Sequence, residues 1–246
     1  MPEHELIITV LFNQFLAGPA NSILAVAGLH AEDPAKPWSN WMAMQILVAL
    51  IIMAVFALLR GKISWDKPGK HQHIWESVYG FLHEQSEEAA GHEGPHYLHL
   101  FATLFVFILI SNLIGVVPAF ESPTMFPPVP LGCALVTFFY YNAMTIKVQG
   151  IVGFFKHLCG PVWWLAWLMF PIEIISNAAR LLSLTIRLYA NLFAGEQVTM
   201  VFLSMTYLVV PAVFLGLHVF VSFMQAYIFA LMTMIYVGGG IAHDEH

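Results

Sequence analysis

Charged and amide side chains recur at a regular spacing along one apolar segment, at about residues 162–205. These are Glu173, Asn177, Arg180, Arg187 and Asn191, separated by four, three, seven and four residues. Each step is close to a whole number of turns of a 3.6-residue helix, so the five side chains are predicted to project from one face. The sequence therefore predicts a polar face on an otherwise apolar helix.

Arg187 has the least support from its own helix. No carboxylate stands three or four residues away from it, whereas an arginine near the centre of a membrane span costs about 2.5–3.5 kcal/mol on insertion scales. A permanently charged guanidinium in this setting indicates a site for an acidic group that comes from outside the helix. For Arg180 two alternatives stay open: a functional role, and a structural bond to Glu173 two turns away.

A second, sparser set of polar residues follows. Glu196 lies nine residues beyond Arg187, which places it on the opposite side of the helix and about 13–14 Å further along the axis. His218 and Gln225 are seven residues apart in the next apolar segment and share a face. Glu196 and His218 are candidates for a proton-exchanging pair, since each charge perturbs the pKa of the other. The alternative for His218 is a hydrogen bond that joins two helices.

The composition indicates that these residues lie in a membrane protein. Of the 246 residues, 59% are hydrophobic and 10% are charged, against roughly 25% charged in soluble domains. Several apolar runs reach the ~20 residues that cross a bilayer as a helix. They are long and continuous, unlike the alternating segments of a membrane β-barrel. An all-α membrane protein is therefore predicted.

The apolar runs divide the chain into predicted elements. Residues 1–40 are predicted to be an N-terminal segment on the outer side or at the interface, and residues 41–246 a polytopic membrane domain. The predicted membrane-spanning helices lie at about 41–60, 96–118, 129–155, 162–205 and 212–238. An amphipathic surface helix is predicted at about 73–91, and the last two spans are expected to form a long, tilted hairpin.

The distribution of lysine and arginine predicts the orientation. Basic residues end or follow the first span (Arg60, Lys62 and Lys67) and lie at the end of the third span and just after it (Lys147 and Lys156), whereas the N-terminus and the loop 119–128 are poor in them. The positive-inside rule then places the N-terminus outside and the C-terminus in the cytoplasm.

Other classes of site are not expected. The chain has no phosphate-binding glycine loop, nucleophile elbow or HExxH helix, so neither catalytic chemistry nor a cofactor is expected in it. His92, His96 and His99 lack the carboxylate or cysteine partners of a metal site. The absence of a basic run argues against nucleic acid as a partner.

Two segments carry a family resemblance. "IRLYANLFAGE" and "HVFVSFMQAYIFALMTMIY" resemble subunit a of F-type ATP synthases, and "SNLIGVVPAFESPT" supports this. The resemblance extends from about residue 41 to the end of the chain. It implies an integral protein of an energy-coupling membrane, expected to be a bacterial plasma (inner) membrane. It also implies three partners: a rotor ring of small c-type proteolipid subunits, b-type peripheral-stalk subunits and the lipid bilayer.

The resemblance also implies roles for the polar residues. Arg187 corresponds to the essential arginine that faces the rotor-ring carboxylate. The residues implied for a proton half-channel on the outer side are Asn191, Glu196, His218 and Gln225. Those implied for the inner half-channel are Glu173, Ser176 and Asn177. Arg180 and Ser183 have supporting positions.

Two other functions are weighed against a proton-translocating stator subunit. A self-contained ion-coupled carrier would use Arg187 to bind an anionic substrate, but it predicts internal repeats, which the sequence does not show. An anchor subunit of a respiratory complex would need paired axial histidines within the spans, and only His218 lies deep in one.

Overall fold

The chain folds as a set of long helices. The computed structural model describes residues 6–26, 36–60, 70–117, 120–159, 164, 166–205 and 209–241. The α-helices in these ranges are α1 Ile7–Val26, α2 Asn40–Arg60, α3 Lys70–Ala90, α4 Leu98–Ile114, α5 Pro128–Cys159, α6 Ala166–Met205 and α7 Val209–Ile241. Two 3₁₀ helices, Gly91–Tyr97 and Pro123–Met125, precede α4 and α5. No strand occurs in the described ranges.

Five of these helices are long and apolar enough to cross a membrane. They are α2, α4 with the end of its preceding 3₁₀ helix, α5, α6 and α7. Helix α3 is amphipathic and leaves Tyr79 and Phe81 exposed while it buries Leu82. The predicted class, an all-α membrane protein with five spans and an amphipathic helix, is confirmed.

The two last helices form the predicted long hairpin. Helix α6 has 40 residues and α7 has 33, which corresponds to about 60 Å and about 50 Å at 1.5 Å per residue. Both exceed the ~30 Å of a hydrocarbon core. Each helix must therefore tilt away from the bilayer normal or extend beyond the hydrocarbon core. Because the two helices are so long, their polar residues lie at several different depths in the membrane.

The core lies between α4 and α7. Phe101 and Ile108 of α4 and Phe229 of α7 are at most 1% exposed. The small residues Ala226 and Ala230 of α7 are fully buried, as expected where membrane helices approach closely.

Helix α3 packs against this core rather than only lying on the membrane surface. Leu82 joins the buried cluster. At the end of α3 the backbone of Ala90 is so close to α7 that a Cβ on Gly238 would lie 2.9 Å from the Ala90 Cα. The amphipathic helix is therefore fixed to the long hairpin.

Two further features fall outside the sequence predictions. Gly150 has φ 73°, a value that glycine adopts easily, and it kinks α5 nine residues before its end.

In the N-terminal segment, Asn13 of α1 accepts a hydrogen bond from the Trp38 backbone N–H (2.9 Å) and donates one to its carbonyl (3.2 Å). Lys62 and Lys67, on which the predicted orientation partly depends, lie outside the described residues.

Candidate functional site: two polar cavities along α6

Helix α6 is covered by the rest of the chain on one narrow face. Leu184, Leu188 and Leu192 form a row toward the chain interior and are at most 2% exposed. Ile175 and Ile186, on the other side, are 67% and 57% exposed. In the membrane-spanning part of α6, 6% of the residues are buried inside the chain, whereas in the corresponding part of α4 the share is 44%. Most of α6 therefore faces lipid or another protein.

Three of the predicted residues meet in a first cavity, of about 400 Å³, between α5, α6 and α7. The polar side chains that line it are Glu173, Asn177 and Arg180 of α6, Tyr141, Asn142 and Thr145 of α5, and Tyr236 of α7. The Tyr141 hydroxyl donates a hydrogen bond to Asn177 Oδ1. Ser176 is partly buried but does not belong to the lining. This end of α6 thus has a polar cavity that carries both a carboxylate and a guanidinium.

Arg180 is held by α7 and not by its own helix. Its guanidinium carbon lies 5.4 Å from the ring centroid of Tyr236, within cation–π distance. No N···O distance of 4.0 Å or less joins Arg180 to Glu173, so the structural ion pair considered for these two residues does not form.

Arg187 lies between this cavity and a second one. It is partly buried, and its contact on α6 is a long hydrogen bond to Ser183 Oγ (3.4 Å). No described carboxylate lies within 4.0 Å of it, and it lines neither cavity. Along the axis it is about 15 Å from Asn177 and about 12 Å from Gly195. A charged group is therefore isolated on the least covered of the five candidate spans.

The second cavity, of about 230 Å³, lies between α6 and α7 beyond Arg187. Asn191, Gly195 and His218 are among its lining residues. The Asn191 side-chain amide donates to Gln225 Oε1 at 3.1 Å, and Gln225 is 3% exposed. A Cβ on Gly195 would lie 3.8 Å from His218 Nδ1. Three of the four residues predicted for an outer pathway are thus close together.

The fourth, Glu196, is placed differently. It is partly buried and does not line the second cavity. No N···O distance of 4.0 Å or less joins its carboxylate to the His218 ring, so the two candidates for a proton-exchanging pair do not form an ion pair.

Helix α7 carries a row of buried polar atoms that lack a protein partner within the described chain. They are His218 Nε2, Ser222 Oγ and Gln225 Nε2, at steps of four and three residues and so on one face. Buried polar atoms are normally satisfied by protein groups or water. Ser222 and Gln225 line neither cavity, so this row of buried polar groups meets the second cavity only at His218.

A polar network on α4 adds residues that the sequence predictions missed. Asn112 donates to the carbonyl of Ser222 (3.5 Å) and accepts from Thr124 Oγ1 (2.6 Å), and Ser122 donates to the Ser111 carbonyl (2.8 Å). All five residues are at most 1% exposed.

The signal for this network was present in "SNLIGVVPAFESPT", which contains four of its residues. A Cβ on Gly115 would lie 2.9 Å from the Ser122 Cβ, so the glycine lets the segment fold back on itself. The motif alone could not predict that Asn112 faces Ser222 of α7.

Fold and site together define a class of protein. It is a polytopic helical membrane protein in which α6 borders two cavities, with an isolated arginine between them. The first cavity has several polar side chains, and the second is largely apolar with Asn191, Thr199 and His218 in its lining. Such intramembrane ionisable groups mark ion pathways.

Comparison with known proteins identifies the family within this class. The family model described as ATP synthase A chain matches residues 42–238. ATP synthase subunit a of Solibacter usitatus is 58% identical over 235 residues, which covers 96% of this chain and all of that protein. ATP synthase subunit a of Koribacter versatilis is 49% identical over 98% of this chain and 99% of its own length. ATP synthase subunit a of Sulfurimonas denitrificans is 41% identical over 89% of this chain and 96% of its own length. The chain belongs to the ATP synthase subunit a family.

Proposed function

We propose that this chain is the proton-translocating stator subunit of a rotary F-type ATP synthase, with two offset aqueous half-channels that end on either side of Arg187. The observation that carries this proposal is the order of features along α6. A polar cavity with Glu173 lies on one side, a cavity with His218 lies on the other, and Arg187 lies between them outside both.

The chemistry follows from the isolated charge. A carboxylate on a rotor ring must be protonated while it faces lipid, because an ionised group there is very costly. Beside Arg187 the carboxylate would be favoured in its charged form and would release its proton. The fixed positive charge also opposes a direct passage of protons from one cavity to the other.

The inner half-channel is proposed to use the first cavity. Glu173 and Asn177 line it, the Tyr141–Asn177 hydrogen bond fixes one wall, and Arg180 is held against Tyr236. Ser176 stands next to Asn177 in the sequence and belongs to the same proposed set. Ser183 supports Arg187 through their hydrogen bond.

The outer half-channel is proposed to run past Glu196 and His218 to Gln225 and Asn191. Since Glu196 and His218 do not form an ion pair, a proton passing between them would move through water. Of the unpartnered buried atoms of α7, His218 Nε2 belongs to a residue that lines the second cavity and can offer such a water a hydrogen-bonding position.

The partners and the orientation follow from the same proposal. The exposed apolar side of α6 is assigned to the ring of c-type subunits, and b-type peripheral-stalk subunits are expected elsewhere on the chain. The basic ends of the first and third spans support a C-terminus in the cytoplasm, and we expect the complex to lie in a bacterial inner membrane.

Disulfide crosslinking in the assembled complex tests this assignment. Ile186→Cys lies on the exposed side of α6, whereas Leu188→Cys is a matched control on the buried row. Ile186→Cys is expected to crosslink to a cysteine placed beside the ring carboxylate, and Leu188→Cys is not. Full assembly without any crosslink at Ile186→Cys, or equal crosslinking at both positions, would contradict the assignment of this face to a rotor.

A further inference from the structure

One residue of the first cavity lies where a straight helix would not place it. Phe154 of α5 lines this cavity together with Tyr141, Asn142 and Thr145 of the same helix. On a straight helix Phe154 would be turned by about half a turn from Thr145 and by at least about a third of a turn from the other two. It would then project away from the cavity. The end of α5 must therefore change direction between Thr145 and Phe154.

That change of direction occurs at Gly150. Its φ of 73° and ψ of 168° belong to a region of backbone conformation that is essentially confined to glycine. The helix then bends so sharply that a Cβ on Gly153 would lie 3.0 Å from the Gln149 Cβ, whereas Cβ atoms four residues apart on a regular helix are about 5–6 Å apart. The bend therefore depends on Gly150 for its backbone conformation and on Gly153 for the close approach.

The part of α5 before the bend is fixed to the end of α7. The Gln149 side-chain amide donates a hydrogen bond to the Gly240 carbonyl (2.9 Å). A Cβ on Gly240 would lie 2.3 Å from Thr145 Oγ1, so the two helices touch at this point. Gly150 thus separates a fixed base from the segment that carries Phe154.

Phe154 lies at the end of the cavity that is nearest to the membrane surface. The apolar spans of α5 and α7 end at Gly150 and Gly240, which lie close together in the structure. Gly239 and Gly240 line the cavity there without side chains. The polar lining residues of α5 lie at least five residues before the end of its span. An apolar ring therefore stands between the polar interior of the cavity and the surface.

We propose that Phe154 is a hinged apolar lid on the inner end of the first cavity. In the folded-in position its ring keeps water from the polar lining, as hydrophobic constrictions do in channels, and rotation at Gly150 admits water. Phe154 is partly buried, as a residue at such a mouth must be. The inference rests on the proposed function, because the lid would control the exchange of protons between Glu173 and the inner aqueous phase.

The accessibility of a cysteine deeper in the cavity tests the lid. The reporter is Asn142→Cys, eight residues before Gly150 and so about 12 Å further into the membrane. Asn142 donates its side-chain hydrogen bond to Phe138 of its own helix, so the replacement spares the wall between α5 and α6. The native Cys133 and Cys159 are replaced by alanine.

The measurement uses the assembled complex in inverted membrane vesicles, which expose the inner side of the membrane. A membrane-impermeant methanethiosulfonate reagent is added, and the rate of labelling of the reporter is followed by mass spectrometry. Phe154→Ala is expected to raise this rate several-fold. Phe154→Trp, which has a larger ring, is expected to lower it.

Matched variants separate a lid from a general loosening of α5. Phe139→Ala removes the same side chain from a position that is 65% exposed and outside the cavity lining, and should leave the rate unchanged. In Gly150→Ala the new Cβ meets no atom within 4 Å, but alanine does not hold this backbone conformation, so the lid should be displaced and the rate should rise. Gly132→Ala, at an α5 glycine with equally open space, should have no effect.

Three outcomes would overturn the proposal. They are an unchanged rate in Phe154→Ala, an equal rise in Phe139→Ala, and an equal rate in Gly150→Ala and Gly132→Ala. The labelling rate measures entry of a reagent and not proton transfer. It can therefore exclude a lid while Arg187→Ala still abolishes pumping, and it can show a lid while that pumping prediction fails.

Discussion

Filling the second cavity by steps gives the sharpest test of an outer water pathway. Gly195 lines that cavity, and a Cβ added to it would meet His218 Nδ1 at 3.8 Å, an ordinary van der Waals distance. Gly195→Ala therefore needs no rearrangement. It should even stabilise α6 by up to about 1 kcal/mol, because alanine favours the helix over glycine.

Gly195→Leu makes the same change of backbone preference but adds a much larger side chain. The cavity of about 230 Å³ holds about seven waters at roughly 30 Å³ each, and four added carbon atoms would displace about half of them. We expect Gly195→Ala to keep most of the ATP-driven proton pumping. Gly195→Leu should lose about tenfold or more, which corresponds to a barrier raised by about 1.4 kcal/mol.

The assay is fluorescence quenching of a pH-sensitive dye by inverted membrane vesicles, with the amount of assembled complex measured in parallel. Gly216→Leu is the matched control, since Gly216 lies on α7 with open space around its Cβ position. Full pumping by Gly195→Leu would refute the assignment of this cavity to the pathway. So would equal damage from Gly216→Leu.

Two further predictions concern the other cavity and the packing of the hairpin. Tyr141→Phe removes the hydrogen bond to Asn177; at about 1 kcal/mol for one hydrogen bond, pumping should fall roughly fivefold, while Tyr140→Phe, outside that cavity, should not affect it. Equal rates in the two variants would count against the inner pathway. Gly238→Leu forces a side chain into Ala90 of α3, 2.9 Å from its Cβ position, and overpacking of this kind costs about 1–3 kcal/mol. A thermal unfolding assay in detergent should show a lower midpoint for Gly238→Leu than for Gly239→Leu, whose Cβ position is open, and no difference would show that α3 is not fixed there.

The parts of the site that could be predicted from sequence are those governed by one helix. The spacing of Glu173, Asn177 and Arg180 follows from the 3.6-residue repeat, and these three residues do line one cavity. Class and span number follow from the length of the apolar runs, because a helix must satisfy its own backbone groups in lipid.

The parts that could not be predicted depend on how helices pack. The spacing of Arg180 and Glu173 permitted a bond, but Tyr236 of α7 offers the guanidinium a ring face instead. Glu196 and His218 lie on the neighbouring helices α6 and α7, but the way these helices pack leaves no N···O distance of 4.0 Å or less between the two side chains. Tyr141 and Asn112 contact α6 and α7 from helices far away in the chain, and a repeat along one helix carries no information about such neighbours.

The central claim is that Arg187 is the charge on which the two pathways converge. ATP-driven proton pumping by Arg187→Ala measures this most directly, with Arg180→Ala as the control on the same helix, since its contact with Tyr236 is worth about 0.5–2 kcal/mol. We predict no pumping by Arg187→Ala and partial pumping by Arg180→Ala, at equal levels of assembled complex. Full pumping by Arg187→Ala would contradict the account.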